Sequence, residues 1–118
     1  MKTLLIGLLF LLTQQGSAQV VVDSINLNEV PQLEFIQILG YNQGFFKKKL
    51  VVIVDYGQRF TWDKDSRVTK DGEVKVFQSM VQALNFFFDN GWDLETSFLL
   101  SIEGSGHVYH HLLRRKKS

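Results

Sequence analysis

The stretch SMVQALNFFFDNGW, Ser79 to Trp92, decides the fold. Ser79 followed three residues later by Gln82 has the form of a capping box, in which the hydroxyl accepts from the Gln82 amide while the Gln82 side chain reaches back. A helix is therefore predicted to begin at Met80. Its apolar positions Met80, Val81, Leu84, Phe87 and Phe88 recur at intervals of three and four, the spacing of one buried helical face. Asn90-Gly91 ends it, because glycine readily takes the left-handed conformation of a helix C-cap. Trp92 then falls where the chain folds back onto the last turn, near Phe87. Ser79, Gln82, Gly91 and Trp92 are thus read as structural residues.

On both sides of this helix the pattern changes to that of strands. Asp93 to Ile102 and Val108 to Arg115 are β-rich runs joined by Glu103 to His107, whose two glycines predict a hairpin. Upstream, Phe60 to Phe77 is irregular, but Asp71-Gly72 between Val68 and Val74 is a hairpin-turn signal. Lys49 to Asp55 (KLVVIVD) is the strongest strand, and its unbroken apolar centre suits a strand covered on both faces. Leu33 to Leu39 reads as another strand, and Gly40 to Gly44 as a turn. The expected fold is α+β, a single helix packed on one face of an antiparallel β-sheet of about four to five strands. Residues 19–32 are expected to form a lead-in segment and 33–117 a single domain.

Residues 1–18 read as a secretory signal peptide: Lys2, then the apolar run Leu4 to Leu12, then small residues Gly16 and Ala18 at the positions before a cut. Nine apolar residues are too few for a membrane span, which needs roughly 20. The chain is accordingly expected to be exported, periplasmic or secreted, after cleavage near Ala18. It has no cysteine, which excludes disulfides, thiol nucleophiles and cysteine metal ligands. Without Lys2 the chain carries twelve cations against twelve acids, and four of those cations are Arg114 to Lys117.

The segments VVIVDYGQ, FQSMVQALNFFFDNGWDL and VYHHLLRRK, with Asp71-Gly72, together resemble a group of small exported proteins of unknown function from Gram-negative gut bacteria. The second half is also similar to a broader domain of unknown function built as strand, helix, Gly-Trp-Glu, strand, strand. The resemblance covers about residues 50–117, with Asp93 where glutamate is commoner. It implies a fold and an exported location, and brings no activity with it.

No catalytic motif completes itself. His107, His110 and His111 look like a ligand cluster, but strand residues alternate faces, which puts His107, Tyr109 and His111 on one side and His110 on the other. His107 and His111 would stand roughly 13 Å apart along a strand, whereas zinc needs each nitrogen at about 2.1 Å. A calcium loop starting at Asp63 would need glycine and glutamate where the chain has Val68 and Val74. Gly104-Ser105-Gly106 completes no phosphate loop, and the serines and histidines form no triad-like local motif. Asp55, at the end of a buried strand, is expected to bond turn amides. No enzyme activity and no cofactor are expected; the strand histidines read as exposed or half-buried, and His107, Tyr109 and His111 are counted as candidate binding residues on one face of the strand.

What remains is contact. Lys47, Lys48 and Lys49 flank the first hairpin, with Phe45 and Phe46 near its tip, and would join Arg114 and Arg115 in a basic patch if those ends lie together. The expected function is a non-enzymatic interaction or accessory module that meets an unknown protein or envelope component, or itself as a homodimer. The alternative is a binder of a small ligand, or of an anionic lipid headgroup or acidic glycan, through a groove near Trp62 or Trp92 or through the basic patch. Nucleic acid is not an expected partner for an exported chain of balanced charge.

Overall fold

The computed structural model describes residues 18–43, 49–58, 66–102 and 106–117. Among the described residues, two antiparallel sheets and one α-helix share a core. The larger sheet has the order β7-β4-β3-β9-β8 and the smaller the order β2-β1-β5-β6. Their strands are β1 (Val21–Val22), β2 (Ile25–Asn26), β3 (Phe35–Gln43), β4 (Lys49–Asp55), β5 (Val68–Lys70), β6 (Glu73–Val74), β7 (Val76–Phe77), β8 (Trp92–Ile102) and β9 (Gly106–Arg115). The α+β architecture is the expected one, with the small second sheet in addition.

Helix α1 (Met80–Asp89) starts where the capping box places it. Ser79 Oγ accepts from the Gln82 backbone N–H at 3.1 Å, and Gln82 Oε1 accepts from the Gln78 N–H at 2.7 Å, one residue before the cap. Asn90 and Gly91 end the helix, Gly91 at φ +93°. The buried face differs from the expected one. Ala83 and Phe87 are fully buried, with Met80, Leu84 and Phe86 packed beside them, whereas Val81 and Phe88 are 66% and 52% exposed. At 100° per residue, Met80, Ala83 and Phe87 share a meridian, and Val81 and Phe88, seven apart, share the flank beside it. A small alanine at the centre of the contact lets the helix sit close to the sheet.

The sheet alternates as strand geometry requires. Ile36 and Ile38 of β3, Val52 and Val54 of β4, Phe77 of β7 and Leu113 of β9 face α1 and the small sheet in one core. Leu39, Val51 and Ile53, on the opposite face, are also buried, so β4 is covered on both sides as its apolar run implies. Gly40, expected in a turn, lies inside β3, which runs on to Gln43. A Cβ there would stand 2.8 Å from Met80 Sδ and 3.2 Å from a Leu50 methyl, so the glycine makes room for the first turn of α1. The rest of the expected turn, Gly44, lies outside the described residues.

The two short hairpins have matching chemistry. Asp23 and Ser24 both have positive φ, as do Asp71 and Gly72, the backbone of a two-residue hairpin turn. The segment expected as a lead-in is part of the core: Val20, Val22 and Leu27 are completely buried against Trp92, Phe87 and Val68. Asn28 ties it down. Its side chain accepts from the Val20 N–H at 3.0 Å and the Trp92 indole at 3.4 Å, and donates to the Asn90 carbonyl at 2.7 Å.

Candidate functional site

Three groups of residues can be asked to carry function: the terminal cations, the paired histidines and the outer edge of β8. The cations are engaged in holding the fold. Arg115 donates to the carbonyls of Leu27, Asn28 and Val30 at 2.9, 3.0 and 2.7 Å, and its guanidinium lies over Trp92, 5.2 Å from the ring centre. Those carbonyls belong to a 3-10 turn (Leu27–Glu29) and its end, and the planar fork of arginine suits several acceptors at once. Lys116 donates to the Phe88 carbonyl at 2.6 Å and sits over the Phe88 ring, a cation at a helix C-terminus where the backbone dipole favours it. This contact explains why Phe88 stays at the surface. Arg114 pairs with Glu34 at 3.9 Å and covers Phe35.

The strand register separates the two cationic runs. Lys49 pairs with Gln43 at one end of β3, while Arg114 pairs with Phe35 at the other. Eight residue steps of strand separate them, about 27 Å. Arg114 and Arg115 therefore do not join Lys49 in one patch; Phe45, Phe46, Lys47 and Lys48 lie outside the described residues. The groove beside Arg114 and Arg115 also contains Asp93 and Glu95, so it carries both signs. Trp92 is 1% exposed and lines no groove, and Trp62 and Asp63 lie outside the described residues. Asp55 accepts from the Gly57 N–H at 3.0 Å, the turn contact expected of it.

His110 and His111 occupy opposite faces, as alternation demands, but both are buried, at 6% and 8% exposure, rather than half-exposed. The Gln37 amide donates to His110 Nδ1, and Phe98 stacks on the His110 ring at 5.0 Å and 12°. On the other face, Ser97 Oγ is hydrogen-bonded to His111 Nδ1 at 2.7 Å. Neither Nε2 has a hydrogen-bond partner among the described residues. Burial lowers the pKa of both imidazoles, and for His111 the neighbouring His110 adds to the effect. Both rings are thus held neutral as cross-strand ties. Sequence reasoning missed Gln37 and Ser97, because these pairings depend on register between distant strands. His107 pairs with Ser101 and Tyr109 with Leu99 in the β8–β9 ladder. Among the described residues, no three His, Asp or Glu side chains gather as a metal site, and no helix is long and apolar enough to cross a membrane.

The outer edge of β8 is the remaining feature. With eleven residues β8 is the longest of the described strands, it is last in its sheet, and among the described strands only β9 pairs with it. Leu94, Phe98 and Leu99 are 51%, 40% and 46% exposed. The ladder to β9 skips Glu95, a β-bulge that divides the strand into an acidic start, Asp93 to Glu95, and a seven-residue uncharged run, Thr96 to Ile102. Beyond the bulge, the ties of Ser97 to His111 and Phe98 to His110 hold this run against β9, and among the described residues no strand pairs with its outer edge. Comparison with family models, with curated proteins and with solved structures finds no match to this chain.

Proposed function

We propose that the protein is an exported, non-enzymatic interaction module whose contact surface is the outer edge of β8. The observation that carries this reading is the uncharged run Thr96 to Ile102 on an edge that no other described strand pairs, with Phe98 and Leu99 partly exposed. An edge strand offers a row of unpaired N–H and C=O groups, and proteins ordinarily blunt such edges with lysine, proline or shortness. This run contains no charge, proline or glycine. Strand addition at such an edge takes affinity from main-chain hydrogen bonds and specificity from alternate side chains.

Export rests on the composition of the leader, Lys2 followed by the apolar run Leu4 to Leu12 and the small residues Gly16 and Ala18. The alternative of a basic anion-binding patch is disfavoured by the contacts of Arg114, Arg115 and Lys116 within the fold.

A photoreactive phenylalanine analogue placed at Phe98 in the native cell tests this reading, with the same probe at Val81 on the exposed flank of α1 as control. Adducts that form at position 98 and not at 81 are expected; an absence of adducts at 98 would sink the interaction reading.

A further inference from the structure

The uncharged run of β8 opposes residues of like kind when it is laid antiparallel against itself. Centred on Leu99, the sequence TSFLLSI sets Ser97 against Ser101, Phe98 against Leu100, and the β-branched Thr96 against Ile102. In a two-fold interface residue i faces j on the partner while j faces i, so each of these compatible cross-strand pairs occurs twice. Resting on the proposed role of the β8 edge, we infer that its partner is a second copy of this chain, paired antiparallel about a two-fold axis at Leu99.

Sheet geometry selects this register. Directly opposed residues in an antiparallel pair point to the same face, so a two-fold axis normal to the sheet must pass through a residue position rather than between two. Centring on Leu99 is the choice that pairs the whole run from Thr96 to Ile102 with itself. Centring on Phe98 would bring Thr96 opposite Leu100 and carry the next step into the bulge at Glu95, where regular pairing stops. Centring nearer the start of the strand would set Glu95 or Asp93 of the two copies near each other, and like charges directly opposed are unfavourable. Centred on Leu99, the next step at either end would set Glu95 of one copy opposite Glu103 of the other, so the bulge and the acids limit the pairing to the uncharged run. Joined there, the two five-stranded sheets form one continuous sheet of ten strands with no change in either copy's β8–β9 ladder.

The chain has no cysteine, so a single introduced thiol reports on this pairing without background. Opposed residues in an antiparallel pair have Cα atoms about 4.5–5.5 Å apart, within the range that a disulfide bridges. Purified L99C is expected to form a covalent dimer under mild oxidation about tenfold faster or more than V81C, because pairing raises the local thiol concentration. Unmodified chain should sediment at twice the monomer mass. L99K, which sets two cations opposite each other at the axis, should sediment as a monomer with an unchanged circular dichroism spectrum. Monomeric unmodified chain, or L99C that cross-links no faster than V81C, would overturn the self-pairing. The mass of the adduct at position 98 then separates the two levels: an adduct with a different protein leaves the interaction reading standing without self-pairing, and no adduct removes both.

Discussion

The five-stranded sheet has two edges, and they are built in opposite ways. At one side β7 has two residues, Val76 and Phe77, and Lys75 lies over the rings of Phe77 and Phe86 at 5.3 and 5.0 Å. At the other side β8 runs for eleven residues and carries no cation at all. Shortness and a lysine are two ordinary means of keeping a sheet edge from pairing, and β7 has both. The edge of β8 has only the bulge at Glu95 and the two acids of its first part. A sheet that blunts one edge and leaves seven uncharged residues open on the other is asymmetric in a way that core packing does not explain.

The most damaging way to break this asymmetry is to release the anchored end of β8. Trp92 is buried among Val20, Leu27, Phe87 and Leu113, and holds β8 to the end of α1. Trp92→Ala should cost about 3–5 kcal/mol, the usual range for removing a large buried aromatic. For a domain of ordinary stability that is a large share of the whole. A urea titration followed by far-ultraviolet circular dichroism checks it; a midpoint within error of the unsubstituted chain would contradict the anchoring role.

Arg115 comes next. Its side chain satisfies three carbonyls of the segment Leu27 to Val30, and truncation leaves those acceptors to water or to nothing. Arg115→Ala should lower stability by about 1.5–3 kcal/mol, the range for hydrogen bonds to a charged group. Arg115→Lys should recover only part of that loss, since a point charge cannot reach several carbonyls in one plane. The same urea titration measures both. Equal stability of the lysine variant and the unsubstituted chain would show that the charge alone matters.

Acid probes the inner side of the same strand. His110 and His111 tie β9 to β3 and β8, and both have pKa values lowered by burial. The unfolded chain then binds more protons than the folded one below the ordinary imidazole pKa of about 6.5. Stability is fully present above that value and falls as pH drops through it toward the lowered folded values. The urea midpoint should therefore fall between about pH 7.5 and 5.5, a window in which ordinary carboxylates, near pKa 4, remain ionised. The double variant His110→Gln, His111→Gln should show a flatter dependence. A midpoint indifferent to pH across this window would mean that the two rings accept their charge without loss.

How much of this was legible in the sequence follows from the range of each interaction. The capping box at Ser79 and Gln82, the Gly91 stop, the Asp71-Gly72 turn and the bounds of β4 are local patterns, and the structure has them where the sequence places them. The face of α1 was misjudged at Val81 and Phe88, because apolar spacing does not say which of two adjacent stripes meets the sheet. Gly40 reads as a turn residue by type, yet its role depends on Met80, forty residues away. The cations at the end of the chain look free in one dimension because their acceptors, the carbonyls of Leu27 to Val30 and of Phe88, are main-chain groups that a residue pattern does not display. The same holds for His110 and His111, whose partners Gln37 and Ser97 become neighbours only through strand register.

The smallest expected effect tests what guards the β7 edge. Lys75→Met removes the cation from two aromatic rings while keeping an unbranched apolar side chain, and should cost less than about 1 kcal/mol, the scale of a solvent-exposed cation–π contact. If length is the guard, the variant has the same sedimentation behaviour as the unsubstituted chain, because two residues offer too few main-chain groups to template a strand. If the lysine is the guard, the variant associates further as concentration rises, and the contrast between the two edges reduces to one of charge. Read beside L99K, the pair of variants assigns the difference to strand length at one edge and to side-chain pairing at the other, since each changes one edge while leaving the other as it was.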